Sequence, residues 1–559
     1  MTPLGRFFRL LREFGPEIRQ LYSYALLNGL ISLSLPLGLQ AVIQFLMTGQ
    51  LSTSVYVLVF LVVGGLLFSG WMNIMQLITS EHIRKHIVVR GAFDFIHRLP
   101  RLQLEKIAKK HVPELMNRFF DIIAIEKGMQ KLLMDFSTAT LQLLLGLMLL
   151  ALYHPVFIVL AVIIFVLIYL VVRYTGERGL KLSLETSKHK YDLVFRMEVM
   201  AGLLNTLKLM PSHAPGRAYI DRQLGQYLES REKHFAILKM QYWGLVLMKA
   251  LMAFFLLIIG AVLLKEERIN LGQFVAAEII VLLIMSATEK IIFQIDGVYD
   301  LLTSIEKVGQ ITELPMHEEP TYAEGGLSRS IAGPIHLEIR SMRFQYDDSV
   351  EPLIKNLDLD LKPGDKVAVS GRNGAGRSTL IKLITRLYEP PPQTVFVNGF
   401  ALEHINPTEL YVRVGHCLQS EEVMMGTLFE NIDLGRGYSA DEVQAAIARV
   451  GLEEATRKLP QGMYTVLSSD AKPLSPSLGK RVILARCLVS HPELLVYEDV
   501  FSGMTADEKN PLYELLAGGP WTLLACTNDL DLVDKCSRKL WMDAGRLLDS
   551  PPPHNATKR

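Results

Sequence analysis

Gly371-Arg-Asn-Gly-Ala-Gly-Arg-Ser378 is the stretch on which the reading of this chain turns. It fits the phosphate-cradling pattern G-x-x-x-x-G-K-[ST] at every fixed position but one, where Arg377 stands for lysine. Its glycines let successive backbone N–H groups converge on phosphate oxygens, and a following helix adds its positive N-terminus. The flanks supply the context this motif requires. Lys366–Ser370 is a short apolar run that predicts a strand, and Ser378–Leu387 predicts a helix. The candidate cradle is Gly371, Asn373, Gly374, Ala375, Gly376, Arg377, Ser378 and Thr379. The Ser378 hydroxyl is aimed at a Mg²⁺ ion. The loop predicts a nucleoside triphosphate with Mg²⁺ as the bound species.

Outward from the loop, the chain has two characters. Half of its 559 residues are apolar, and the mean hydropathy of +0.26 is high for a soluble enzyme. Spans long enough to cross a hydrocarbon core of about 30 Å occur at Tyr22–Met47, Val55–Ile78, Leu132–Tyr153, Val156–Val172, Leu245–Leu264 and Phe274–Ile292. Odd-numbered connections are tiny (Thr48–Ser54, His154–Pro155, Lys265–Leu271). The second and fourth are long, helical in pattern and rich in Lys and Arg. That bias places the long loops in the cytoplasm, with local breaks expected around Arg101–Leu115 and Met210–Leu224. Met1–Arg19 interleaves arginines with apolar residues and predicts an interfacial amphipathic helix. Glu278, Glu289 and Lys290 mark the sixth span. They are read as headgroup-level or as lining a wet cavity or pairing. Asp135 and Gln142 mark the third. A net charge of +1 offers no basic field for nucleic acid. The four cysteines, all in the last third, have neither zinc nor disulfide spacing and read as buried thiols.

The expected organisation is a transmembrane domain over residues 1–310, a Pro/Gly-containing linker over 311–334, an α/β P-loop domain over 335–549, and a tail over 550–559. The fold class is thus a polytopic α-helical membrane domain plus an α/β nucleotide-binding domain.

With these landmarks in order, the chain resembles the ATP-binding cassette exporters, six transmembrane helices fused to one nucleotide-binding domain. Phe344-Gln-Tyr346 is similar to the family's aromatic loop, which implies that Tyr346 stacks on adenine. Gln419, ahead of Gly426-Thr-Leu-Phe-Glu-Asn-Ile432, falls at the glutamine that senses Mg²⁺. Ser475 and Ser477, in Leu474-Ser-Pro-Ser-Leu478, fall in the signature segment. Leu494-Leu-Val-Tyr-Glu498-Asp499 resembles the strand ending in carboxylates. By that likeness Glu498 is the metal ligand and Asp499 the general base. Thr527-Asn528 sits at the switch-histidine position. Leu271–Glu278 and Tyr299–Lys307 resemble a Bacteroidota group of type I secretion-like exporters often encoded beside periplasmic adaptors. The resemblance implies an inner-membrane, multi-pass subunit with a cytoplasmic nucleotide domain. It also implies a dimer with a second half, alike or different, a lipid environment, and an adaptor as a further partner.

Five departures fall on chemistry-bearing positions. Arg377 replaces a lysine, and its planar fork does not match a point charge. Pro476 removes an N–H from the signature helix. Glu498 and Asp499 invert the usual carboxylate order, each reach differing by one methylene. Asn528 replaces a histidine and cannot carry its charge. Thr505 replaces an aspartate. The expectation is ATP binding with weak or absent hydrolysis. Two functions remain in view. One is an exporter that moves substrate outward by alternating access. The other is a non-hydrolysing structural or regulatory subunit for an adaptor or an active partner.

Overall fold

A computed structural model describes residues 2–47, 53–107, 112–210, 214–316, 334–346, 349, 351–467 and 475–551. Residues 317–333 of the expected linker, Leu474 and the tail beyond 551 lie outside the described residues. The chain forms two compact units, Met1–Leu102 with Lys109–Met316, and Gln103–Ala108 with His317–Arg559.

The first unit is helical. It comprises α1 (Pro3–Glu13), α2 (Gly15–Ser32), α3 (Ser34–Met47) and α4 (Thr53–Arg98). After α5 (Leu104–Ile107), which packs with the second unit, come α6 (Val112–Asn117), α7 (Phe119–Gln130) and α8 (Ser137–Tyr153). Then follow α9 (Val156–Gly202), α10 (Leu204–Leu209), α11 (Ala214–Lys265) and α12 (Leu271–Thr312). Among the described residues, six helical stretches are long and apolar enough to cross a membrane. The 46 residues of α4 extend roughly 70 Å at 1.5 Å per residue. That is more than twice the hydrocarbon thickness, so the helices continue well beyond it, as the long basic loops predict.

Three local features differ from the sequence reading. The first span is interrupted at Leu33, where the α2–α3 junction falls just before Pro36. Proline lacks the N–H that would close the turn on Ser32. The third span opens with a π-helical turn, Lys131–Phe136, which carries Asp135. The second long loop breaks at Leu203 and after Leu209, but α11 has already resumed at Ala214, upstream of most of the expected break.

Helix α1 exists as expected, but much of its apolar face packs on protein. Phe7, Leu10 and Leu11 pack on a cluster that includes Ile83, Ile122 and Leu301, while Leu4 and Phe8 stay exposed. Arg6 crosses α12, donating to Glu313 at 2.8 and 2.9 Å and to Glu306. It passes over Gly309, where a Cβ would sit 2.4 Å from its Nε. Arg98 donates to the Thr312 carbonyl at 2.6 Å. Of the charged residues singled out, Glu289 of the sixth span pairs with Lys249 of α11 at 2.6 Å, and Asp135 of the third accepts from Gln294 at 3.3 Å. Glu278 and Lys290 are exposed.

The second unit is built on strands β1 (Leu337–Phe344), β2 (Ile354–Leu361), β3 (Lys366–Gly371), β4 (Val395–Val397), β5 (Phe400–Ala401) and β6 (Val414–Cys417). These are followed by β7 (Gly426–Thr427), β8 (Val466–Leu467), β9 (Leu494–Glu498), β10 (Thr522–Cys526), β11 (Arg538–Asp543) and β12 (Arg546–Leu548). The central sheet runs β12-β11-β3-β10-β9-β6, parallel except for β12. Parallel strands covered on both faces read as continuous apolar runs. Accordingly every residue of β10, and all of β9 except Glu498, is buried. An antiparallel sheet, β2-β1-β4-β5, stands beside it. All four cysteines are buried free thiols.

Gly371 closes β3 against β11, and a Cβ there would lie 2.3 Å from the Met542 carbonyl oxygen. Gly371→Ala must push two backbones apart, so a loss of about 1–3 kcal/mol is expected as a lowered melting temperature of the full chain in detergent. An unchanged melting temperature would show that the strands yield freely at this point.

Candidate nucleotide site

The loop joins the buried tip of β3 to α13 (Arg377–Ile384). Its shape needs glycine at two places, Gly374 with φ +82 and Gly376 with φ +112. Ala375 is pinned between them. Its N–H donates to the Arg372 carbonyl, and its carbonyl accepts from Gly545, both at 3.1 Å. A cavity of about 630 Å³ opens over this loop. It brings together Asn373 through Thr379 with Gln419, Glu498 and Asp499. It also includes Arg372, Ser502 and Cys526, which sequence reasoning missed. Burial pushes the Cys526 thiol up to about 12, with Glu498 acting in the same direction. The floor there is therefore neutral.

The residue after β9 takes a strained conformation, Asp499 at φ +37. Its carboxylate is already engaged. Oδ1 accepts from the Thr527 hydroxyl at 2.5 Å, and Oδ2 lies 3.9 Å from Nη1 of Arg377. The Arg377 side chain is 14% exposed. Its Nη1 is buried and finds no hydrogen-bond partner among the described residues. A buried cationic donor facing a glycine-lined cavity suits an anion such as a phosphate.

Asn528 lies elsewhere than expected. Its amide does not line the cavity but bonds the peptide of Gly371 twice, Nδ2 donating to the carbonyl and Oδ1 accepting from the N–H, both at 3.0 Å. A histidine ring could not reproduce this planar donor–acceptor pair. Beneath it, the Thr527 N–H donates to the Val369 carbonyl at 3.1 Å, and the Ser370 hydroxyl donates to the Thr527 carbonyl at 2.8 Å.

Tyr346 also stands outside the cavity lining. Its hydroxyl is 2.8 Å from that of Thr379, and burial raises its pKa. Its ring stands edge-on to Phe344 and Tyr388, at 5.2 and 5.8 Å between centroids. Tyr388 was not foreseen, because its partners are distant in sequence. Ser475 caps the helix Pro476–Leu488, and its hydroxyl is 3.1 Å from that of Ser477. Pro476 sits in the first turn, where a missing N–H is tolerated. Thr505 forms a capping box with Glu508, so the residue in place of aspartate works as a helix cap.

The donor set fits Mg²⁺. Ser378, Gln419 and Glu498 open on one cavity and offer the hard oxygens this ion takes. They would hold the ion, which would supply charge neutralisation to bound phosphates.

Thr527 is fully buried, and its hydroxyl serves both Asp499 and the Asp529 N–H. Thr527→Val should destabilise the protein by about 1.5–3 kcal/mol, since it strips a charged acceptor of its donor. Thermal melting of full-length protein would show this, and a shift no larger than for an exposed Thr→Val change would refute the role.

Residues 354–502 match the family described as ABC transporter, and residues 23–288 match the ABC transporter transmembrane region. The chain is 24% identical over 345 residues to the alpha-hemolysin translocation ATP-binding protein HlyB of Escherichia coli O157:H7, covering 61% of this chain and 48% of that protein. It is 26% identical over 351 residues to the leukotoxin export ATP-binding protein LtxB of Aggregatibacter actinomycetemcomitans, covering 62% and 49%. The chain thus spans about half the length of the curated relatives it matches. Its fold is similar to that of a bacterial Atm1-family ABC exporter with ATP bound, at a TM-score of 0.80, 18% identity, and coverage of 96% and 95%.

Proposed function

Because this chain belongs to the ABC transporters, with a transmembrane region and an ATP-binding domain on one polypeptide, we propose that it is an export subunit that holds ATP and hydrolyses it slowly or not at all. The glycine-shaped loop, the buried Arg377 cation and the Ser378–Gln419–Glu498 oxygen set support nucleotide and Mg²⁺ binding. The observation that carries the weak-hydrolysis part is the engagement of the would-be base. Asp499 accepts from Thr527 at one oxygen and lies 3.9 Å from Arg377 at the other, so its carboxylate is already committed within the protein. A base must sit within hydrogen-bond reach of the proton it takes, and a displacement of about 1 Å costs on the order of 100-fold.

The setting proposed is the inner membrane, with the nucleotide domain cytoplasmic and the composite sites completed by a second half in a dimer. Substrate would move outward by alternating access. One observation favours a second reading, that of a non-hydrolysing regulatory or structural subunit for a periplasmic adaptor or an active partner. Asp499 and Asn528 are both bonded within the protein itself.

The test is Mg-ATP hydrolysis by the purified full chain in lipid, with nucleotide binding measured alongside. Turnover is expected within threefold of an Asp499→Asn control, with saturable ATP binding. Turnover well above that control would overturn the weak-hydrolysis reading. Absence of any binding would overturn nucleotide holding.

A further inference from the structure

We propose that the cavity between α7, α9, α11 and α12 is a cargo subsite for a protonated amine, held by Asp296, Asp300 and His234. The inference rests on the export reading above and names the chemical class that such a subunit would carry.

The cavity measures about 570 Å³, and its walls all belong to the first unit. On each helix the lining lies on the side of the long basic loops. It comes before Leu132 on α7, after Val172 on α9, before Leu245 on α11 and after Ile292 on α12. Under the export reading, cargo enters from that side.

The α12 wall is acidic. Asp296 and Asp300 stand about one turn apart and share a face of the helix. Asp300 is exposed and makes no hydrogen bond or ion pair among the described residues. Asp121 differs, because its carboxylate accepts from the Tyr191 hydroxyl at 2.6 Å. Two permanent cations also line the cavity. Lys190 stands over the Tyr191 ring, 5.0 Å from its centroid, and Arg231 is exposed. Neither forms an ion pair with Asp296, Asp300 or Glu232 among the described residues.

A second feature lies on α11. His234 is 9% exposed and lines the cavity, and its Nε2 is buried with no hydrogen-bond partner among the described residues. Oδ1 of Asp296 lies 3.6 Å from it, too far for a hydrogen bond. With its proton on Nδ1, the ring offers a lone pair at Nε2 beside the Asp296 oxygen. Two acceptors so placed call for one group with at least two donors. A water would serve both but would leave Asp300 without a counter-charge. A primary ammonium supplies the donors and the charge together. The two carboxylates and the imidazole form no metal-holding group among the described residues, which sets a divalent ion aside. Phe120, Tyr227 and Phe235 line the same cavity and offer aromatic faces to the body of an organic cation.

The experiment titrates the full chain in lipid nanodiscs with monodansylcadaverine, a primary amine on a fluorescent aromatic body, and with its N-acetyl derivative, which keeps the body and loses the charge. Empty nanodiscs supply the background. The amine is expected to bind saturably near neutral pH, and the acetylated probe at least tenfold more weakly. Asp296→Asn and Asp300→Asn should each weaken the amine about tenfold and leave the acetylated probe unchanged. Glu229→Gln, at an exposed acid of α11 outside the cavity, should change neither. Amine and acetylated probe bound within threefold of each other would overturn the proposal. So would amine affinity unchanged in both aspartate variants. The wild-type comparison needs no variant, so a misfolded mutant does not shelter the idea. ATP binding is measured on the same preparation. ATP bound without the amine sinks the subsite alone, and the amine bound without ATP keeps the subsite while sinking the nucleotide-holding reading.

Discussion

A parallel sheet leaves peptide groups unpaired at its strand tips, and here the tip of β3 is also the first residue of a loop shaped to hold phosphates. The second unit resolves this with a side chain. The Asn528 amide completes the ladder on one flank of Gly371, and β11 completes it on the other, close enough that only glycine fits. From that anchored residue the left-handed turns at Gly374 and Gly376 follow, and α13 starts in place. The cost falls on chemistry. The side chains that secure the frame, Thr527 and Asn528, are the ones the family resemblance assigns to the switch region.

The first unit shows the same preference for polar contacts between elements. Arg84 bonds Glu126 at 2.5 Å, the buried Tyr191 hydroxyl donates to Asp121 at 2.6 Å, Ser183 meets Thr303 at 2.9 Å, and Lys249 meets Glu289. Only the Lys249–Glu289 pair falls within the expected spans, where lipid gives apolar helices no hydrophobic reason to associate and interhelical polar bonds carry more of the specificity; the other three lie on the helical extensions beyond them. These bonds join α4 to α7, α7 to α9, α9 to α12 and α11 to α12.

The six spans and the phosphate loop were legible because each is written locally. A span needs only a run of apolar residues, and the loop needs only glycines at fixed offsets between a strand and a helix. What escaped was whatever depends on partners far apart in the chain. Lys249 gave no signal by itself, though Glu289 did. The Leu33 break was written in Pro36 but masked by continuous hydropathy. Asn528 was correctly placed after β10, yet nothing in a single residue type tells whether its amide faces a ligand or its own backbone. Only the register of β3 against β10 decides that. Thr505 likewise reads as a lost acid until the glutamate three residues on shows it to be a cap. The short α5 packs with the second unit, where Glu105 accepts from the Glu389 N–H, and its sequence carries no mark of that allegiance.

The bare backbone at Gly309 lets one arginine span nearly two turns of α12 and hold glutamates on either side of it. The amino-terminal helix is thereby a splint on the last stretch of α12, just before residues 317–333. Anything that lifts the first dozen residues, such as a fused tag or a bound antibody fragment, would loosen the far end of a helix some three hundred positions away in sequence. Helix α1 is thus a handle on the end of α12, and a poor place to attach a reporter meant to be silent.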